Sequence, residues 1–458
     1  MSTPTGSPWQ KQAPPPPTVS GGAPLVGHAL EFMRDPHRVI RRGYAEHGPV
    51  FSVDLGRKTA VFLVGPAYHK FFFRETDRIF SIRKGYETLM KMFDKGMLFF
   101  AHLTEYQEQM KVVMPLFQDN DRFTGLMVDE VDDFMENDLG EEGEIDVTEA
   151  FGPLVMHVAA HAFFGEEFRR RLGAEYFDVF RSFALGADVV LPSWLPLPKF
   201  RRSAEAKHRI ESMIYDLIQE RRSHPLEPKD LFQEFVESTY YGGKPLPDHL
   251  LVSMLLFIPW AGHETTVGHT SWTLIELLRH EDYLARVQAE LSEVLGEAPI
   301  YSSENLKKLK MLDWAVKETE RMHPAAHMYM RGVRDDFDID GYEVAEGSMV
   351  FVVPQVAHRL PEVFADPDRY DPLRFAPDRA EDATPYSLIG FGGGVHRCAG
   401  VNFAKLEMKI IMAKLLRDYD ITLLDENPQP KPGTQTKWPE SPCRVRYERR
   451  FVPRARAS

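Results

Sequence analysis

Cysteine is nearly missing from this chain. Its 458 residues include only Cys398 and Cys443. Two thiols cannot build a disulfide scaffold, so the fold must rest on its core, and a reducing interior is the natural compartment. Excess positive charge is missing as well. The formal net charge is −13, which argues against a nucleic-acid surface or a basic membrane-facing patch as the main function. The opening stretch, MSTPTGSPWQKQAPPPPTVSGGAP, has no apolar run and no signal-peptide pattern. Its prolines and glycines predict a disordered or extended lead-in over 1–23. No uninterrupted apolar window reaches the length of a membrane span. The longest, LLVSMLLFIPWAG, is followed at once by His263 and Glu264. These absences predict a soluble, cytoplasmic protein. With 43% apolar and 27% charged residues, the composition fits a globular protein with a large core.

What is present gathers around Cys398. FGGGVHRCAG, Phe391 to Gly400, places it after three glycines and a His-Arg pair. Glycines let a backbone turn closely past a flat partner. A cationic loop favours the thiolate, the form that ligates metals. VNFAKLEMKIIMAKLL follows with helical apolar spacing, so Cys398 is expected where a loop enters a helix, near free N–H groups and a positive dipole end. An ordinary glycine loop around a structural cysteine is the competing explanation. Cys443 has no motif context and is expected to be a packing residue.

A second concentration lies between Asp248 and Arg279, a long stretch apolar on every side, which predicts a helix buried through the middle of the fold. Within it stands Ala261-Gly262-His263-Glu264-Thr265-Thr266. Gly262 leaves room beside the helix, and Pro259 removes an N–H and should bend it. An acid followed by Thr is costly in a buried helix unless it has work to do. The zinc-protease pattern His-Glu-x-x-His fails at Val267. A plain helix kink is the structural alternative. Further on, Glu318 and Arg321 sit at i and i+3, close enough to pair.

The loop FGGGVHRCAG resembles the haem-binding loop of the cytochrome P-450 haem-thiolate monooxygenases. Phe391, Gly394, Cys398 and Gly400 meet its fixed positions. The acid-Thr helix, Glu318-x-x-Arg321 and Arg374 in DPLRFAPDR follow the family's order, and the likeness runs from about Pro24 to Arg450. It implies a single domain over 24–458, mainly α with a smaller β-rich lobe, holding haem b between the central helix and the Cys loop. Cys398 would be the axial iron ligand. His396 and Arg331 would face haem propionates. Glu264 would feed protons and Thr265 hydrogen-bond dioxygen, with Gly262 making space for it. Glu318, Arg321 and Arg374 would lock the segment leading to the Cys loop. The family commonly supplies Trp-x-x-x-Arg for a propionate; this chain has Tyr106 and Met110, with Lys111 next.

Within the family, the stretch 79–100 resembles the sterol 14α-demethylases most, through Tyr86, Phe93 and the turn at Gly96. In that likeness Tyr86 contacts haem, and Phe93, with Ala261, Ala326 and Met328, lines the substrate pocket. His263 also fits, but Glu264 and Val395 stand where those enzymes usually place His and a basic residue. The implied activity is insertion of one oxygen atom from dioxygen into a C–H bond of an apolar substrate, a sterol or terpenoid first. A secondary-metabolite intermediate or a fatty acid is the alternative. No flavin or Rossmann module accompanies the chain, so electrons from NAD(P)H would arrive through a ferredoxin and ferredoxin reductase, docking near Arg397, Lys405 and Lys409. A peroxide-driven enzyme and a haem-binding sensor are further alternatives; the Glu264-Thr265 pair favours an enzyme over the sensor.

The remaining pattern predicts a helix, a hairpin and a helix over 24–73, mostly helices over 104–240, and a Pro-rich connection or cover at 191–200. A strand-rich region follows Arg331 with a turn at Asp340-Gly341, and a hairpin closes the chain.

Overall fold

The computed structural model describes residues 13–56, 58–187, 195–240, 242–296, 300, 302–431 and 436–450. Residues 1–12 of the lead-in, and 191–194 of the Pro-rich connection, lie outside the described residues.

The helix Asp248–Arg279 is the axis of the α-rich part. Its 32 residues span about 48 Å at 1.5 Å per residue. It stays helical through Pro259 and packs against helices Val147–Phe164, Lys310–Met322, Val401–Asp418 and Pro198–Ser223. Burial on all sides explains its lack of a polar face. By length and apolarity alone it would qualify as a membrane span, as the core helix of a globular fold also does. In the fold, 61% of its apolar window is buried.

Asp35 divides the expected first helix. It ends Ala29–Arg34 and caps Pro36–His47 by accepting the Arg38 N–H. Strands Val50–Asp54 and Thr59–Leu63 form the expected hairpin. The helices predicted within 104–240 form, joined by two that had not been singled out, Glu166–Ala184 and the short Leu231–Val236. Asp340 and Gly341, both at positive φ, turn strand Phe337–Ile339 into Tyr342–Val344.

The hairpin belongs to a five-stranded sheet completed by Met349–Val352, Tyr329–Val333 and Phe80–Ser81. Thr59–Leu63 runs parallel to Met349–Val352, and Tyr329–Val333 runs antiparallel to it. This topology carries Arg331 from the far end of the chain to the beginning of the 79–100 segment. Residues 17–19 run beside Val50–Asp54, with the Val19 N–H on the Ser52 carbonyl at 3.0 Å. At the other end, Tyr419–Leu423 and Arg444–Arg449 form the closing hairpin, which takes Glu142–Asp146 as a third strand. Cys443 is buried there, its thiol 3.4 Å from the Asp146 carboxylate.

Glu318, Arg321 and Arg374 are fully buried. Arg321 makes two bonds of 2.8 Å to the Glu318 carboxylate, and Arg374 makes one of 3.0 Å. Glu381 accepts from Arg374 at 2.6 Å and supplies a second negative charge, which the sequence did not reveal. The guanidiniums also donate to the carbonyls of His358, Pro367, Arg369 and Ala365. The meander between His358 and Glu381 is thus fastened to the helix Lys310–Met322.

Glu407, on the helix Val401–Asp418, is buried with one carboxylate oxygen unpartnered. Burial pushes its carboxyl well above the usual range.

Two outcomes follow. Arg374→Ala leaves buried Glu318 short of a partner and should cost about 3–5 kcal/mol, read by denaturant unfolding. Glu407 favours the folded state most below its unfolded pKa, and that contribution fades as pH rises through the raised folded pKa. Glu407→Gln should therefore stabilise the protein at neutral pH by about 1–3 kcal/mol. The gap from the parent should widen between unfolding curves taken at acid and at neutral pH.

Candidate functional site

The Cys loop is shaped by close backbone contacts. The Cys398 N–H closes on the Phe391 carbonyl at 3.0 Å. Gly394 has φ +65, and a Cβ there would fall 2.6 Å from the Phe73 carbonyl oxygen, so only glycine fits. The helix Val401–Asp418 starts directly after Gly400, as the apolar spacing predicts.

Cys398 has exposed surface. Yet enough protein surrounds it that burial pushes its thiol pKa up, against the Gly400 N–H and the Arg397 charge, which lower it. A group both accessible and deep faces an internal space. The loop and the helix end therefore do not by themselves make the thiolate expected from sequence, because desolvation outweighs them. A bound metal would supply the missing stabilisation.

Tyr329 is the hub of the site and was missed by sequence reasoning. Burial raises its hydroxyl well above the ordinary range, with Tyr86, Cys398 and Glu320 adding to the effect and Arg331 opposing it. These groups, drawn from four parts of the chain, therefore surround it. Its hydroxyl donates to the Gly390 carbonyl at 2.8 Å, tying the strand to the Cys loop. The available signal was its spacing: two residues before Arg331 on a strand, it shares that residue's face.

Arg331 is 4% exposed. Its guanidinium donates to the Met330 carbonyl at 2.8 Å and to the Thr76 hydroxyl at 3.3 Å. Among the described residues no carboxylate stands within the 4.0 Å of an ion pair. Desolvation lowers its pKa, with Tyr86 and Asp77 opposing. The Tyr86 hydroxyl lies 3.5 Å from the Met330 N–H.

His396 is held by the Asp77 carboxylate at 2.5 Å, a partner the sequence did not point to. Tyr106 stacks beside it with ring centroids 4.2 Å apart and donates its hydroxyl to the Val395 carbonyl at 2.8 Å. Lys111 turns outward to Glu108. Of these two, Tyr106 is the one that meets the Cys loop.

The central helix forms another wall, joined to the loop where His269 meets Phe391 at 6.1 Å. A Cβ on Gly262 would meet nothing within 4 Å, so the helix borders open space there. The Thr265 hydroxyl donates back to the Ala261 carbonyl at 2.9 Å. Burial raises the Glu264 carboxyl, with Lys431 and a Thr436 hydrogen bond partly opposing, so it leans toward the proton-holding form.

Aromatic rings roof this region. Phe93 contacts Trp260, Phe257 and Phe183 at 5.1–5.8 Å. Phe99 bridges Tyr86 and Phe257 at 5.4 Å. Ala261 and Ala326 are half-buried, whereas Met328 packs on the β-lobe core. Of the expected docking cations, Arg397 is exposed. Lys405 leans on Glu320 at 3.4 Å, and Lys409 is buried beside Asp313.

Comparison with known proteins agrees with this architecture. The cytochrome P-450 family model matches residues 14–445. The sterol 14alpha-demethylase of Mycolicibacterium vanbaalenii is 32% identical over 95% of this chain and 98% of its own length. The sterol 14-demethylase of Arabidopsis thaliana is 30% identical over 95% of this chain and 91% of its own. A solved structure, retinoic acid bound cyanobacterial CYP120A1, superposes with a TM-score of 0.86 at 26% identity, covering 96% of this chain and all of that one. The α-rich body, the β lobe and the Cys loop thus belong together, and the chain is a member of the cytochrome P-450 family of haem-thiolate monooxygenases.

Proposed function

We propose that this enzyme inserts one oxygen atom of dioxygen into a C–H bond of a sterol or terpenoid. The observation that carries the reading is Cys398, accessible at depth and grouped around Tyr329 with Tyr86 and Arg331. These residues fit haem b. The thiol faces an internal space, Gly262 opens the facing helix, and Arg331 is a buried cation with no carboxylate at ion-pair distance among the described residues. Haem, when bound, supplies the redox-active iron that activates dioxygen.

Cys398 would hold the iron as thiolate. Arg331, with Tyr86 beside it, would neutralise a propionate. His396 keeps its proton on the edge facing Asp77 and shapes the loop. Glu264, its carboxyl raised by burial, would relay protons through water toward the space at Gly262. Thr265 donates its own proton into the helix, so its oxygen is left as an acceptor that orients this water. Phe93 and Ala261 border the substrate and exclude bulk water.

The sterol preference rests on the relatives and on Tyr86 and Phe93. The terpenoid preference is supported by the retinoic acid in the structural neighbour. Reducing equivalents come from a redox partner, which we take to be a ferredoxin with its reductase drawing on NAD(P)H, in the cytoplasm.

Reconstituted holoenzyme should show the thiolate-type red shift of its reduced carbon-monoxide complex; without that shift, or if Cys398→Ala keeps it, the reading fails. A panel of sterols and terpenoids should include members that shift the haem spin state. Glu264→Gln should lower ferredoxin-supported turnover by about 10²-fold or more while leaving the substrate-induced spin shift in place.

Arg331→Gln removes an unneutralised buried cation. It should leave apoprotein stability equal or higher, yet speed haem loss to apomyoglobin by on the order of tenfold, the value of one charge-assisted contact. Unchanged haem loss would remove Arg331 from the propionate role.

A further inference from the structure

The helix Lys310–Met322 carries a second buried acid, which the Glu318 charge cluster does not use. Two residues beyond Glu318 the helix has turned by about 200°, so Glu320 faces the opposite way, toward the Cys loop. Its side chain is 6% exposed. A Cβ on Gly390 would fall 2.5 Å from the Glu320 Cγ, so the acid lies directly against the start of the loop. The Gly390 carbonyl is also the acceptor of the Tyr329 hydroxyl.

The ion-pair partner of Glu320 is Lys405, whose Nζ lies 3.4 Å from Oε2. Among the described residues that oxygen still makes no hydrogen bond. The two ends of the pair are unequally placed. Lys405 keeps 29% of its side chain exposed, where water screens its charge, and its ammonium sits over the Phe391 ring at 5.1 Å. Glu320 is enclosed, and its charge reaches two groups of the site. It raises the Tyr329 hydroxyl, and it raises the Cys398 thiol against the opposing charge of Arg397. The pair therefore presents its negative end to Cys398. An apolar side chain would fill the same position without the desolvation cost of a carboxylate, so an acid here calls for an electrostatic role.

We propose that Glu320 is a redox-tuning residue: its carboxylate, packed against Gly390 and within electrostatic reach of Cys398, holds down the reduction potential of the haem that Cys398 would ligate. This rests on the monooxygenase reading above and deepens it. Reduction of ferric to ferrous iron adds one electron. A fixed negative charge on the thiolate side opposes that arrival, and an enclosed charge opposes it more than a hydrated one. Glu320 acts through the Cys loop and sets how readily the first electron is accepted from the redox partner.

The test is a spectroelectrochemical titration of substrate-free holoenzyme, comparing the parent with Glu320→Gln and Glu320→Leu. Both substitutions remove the charge; the first keeps the shape and a polar oxygen, and the second is apolar. Each should move the ferric–ferrous equilibrium toward the ferrous form by about threefold or more, which is about 28 mV at about 59 mV per tenfold for one electron. The shift should persist at high salt, because an enclosed charge is weakly screened. If one variant does not load haem, the other carries the test. An unchanged or lowered potential, opposite shifts in the two variants, or failure of both to load haem overturns the tuning role and leaves Glu320 as a structural partner of Lys405. The reduced carbon-monoxide complex of the parent tests the monooxygenase reading separately. A thiolate-type shift there, with no change of potential in the variants, sinks the tuning role alone.

Discussion

Three buried charges and a half-buried fourth, of balanced sign, hold the rest of the structure in register. Glu318 and Arg321 come from one helix, and Arg374 and Glu381 from the meander beyond it. Isolated in a protein interior, any one of them would be prohibitively unfavourable; together they neutralise one another and take up loop carbonyls that would otherwise be stranded. The meander has little regular secondary structure, so these bonds define its path. It leads to the Cys loop, whose position on the core is inherited from that path.

A second constraint comes from the sheet. Placing Tyr329–Val333 between Met349–Val352 and Phe80–Ser81 brings Arg331 to Thr76 and Tyr86. The strand's two-residue period then gives Tyr329 the same face, and its hydroxyl reaches the Gly390 carbonyl. One strand therefore joins the β lobe, the 79–100 segment and the Cys loop. The central helix adds a wall where a missing side chain at Gly262 borders open space and burial raises the Glu264 carboxyl above its usual range. The site is built from groups kept out of their comfortable states: a thiol set deep in the protein, a half-buried acid and a buried guanidinium with no carboxylate at ion-pair distance among the described residues. Each is the form of instability that a bound charged cofactor or a proton relieves.

Much of this was legible in the residues. The glycines of the Cys loop are required by its backbone, most clearly at Gly394. Apolar periodicity identified the central helix and its neighbours, because burial on one or all faces leaves a trace in the sequence. The i, i+3 spacing of Glu318 and Arg321 gave their pairing but not their burial. Partners supplied by other segments left no such trace. Nothing local marks Asp77 as the partner of His396, Glu381 as the second carboxylate, or Tyr106 as the residue that meets the loop while Lys111 points away. The surroundings of Cys398 were likewise only half legible. Helix end and basic neighbour are visible in the sequence, whereas the desolvation that outweighs them is a property of the whole surrounding volume.

The sequence by itself determined the family, the position of the motif cysteine and the acid-Thr helix, since these depend on residue types at short, fixed separations. Tertiary structure alone decided which charges are paired and which are left alone. Among the described residues Arg331 has no carboxylate at ion-pair distance, and His37 and His327 meet from distant parts of the chain with the Nε2 of each unsatisfied. Burial and pairing are sums over neighbours hundreds of residues apart along the chain, and only the folded arrangement brings those neighbours within range.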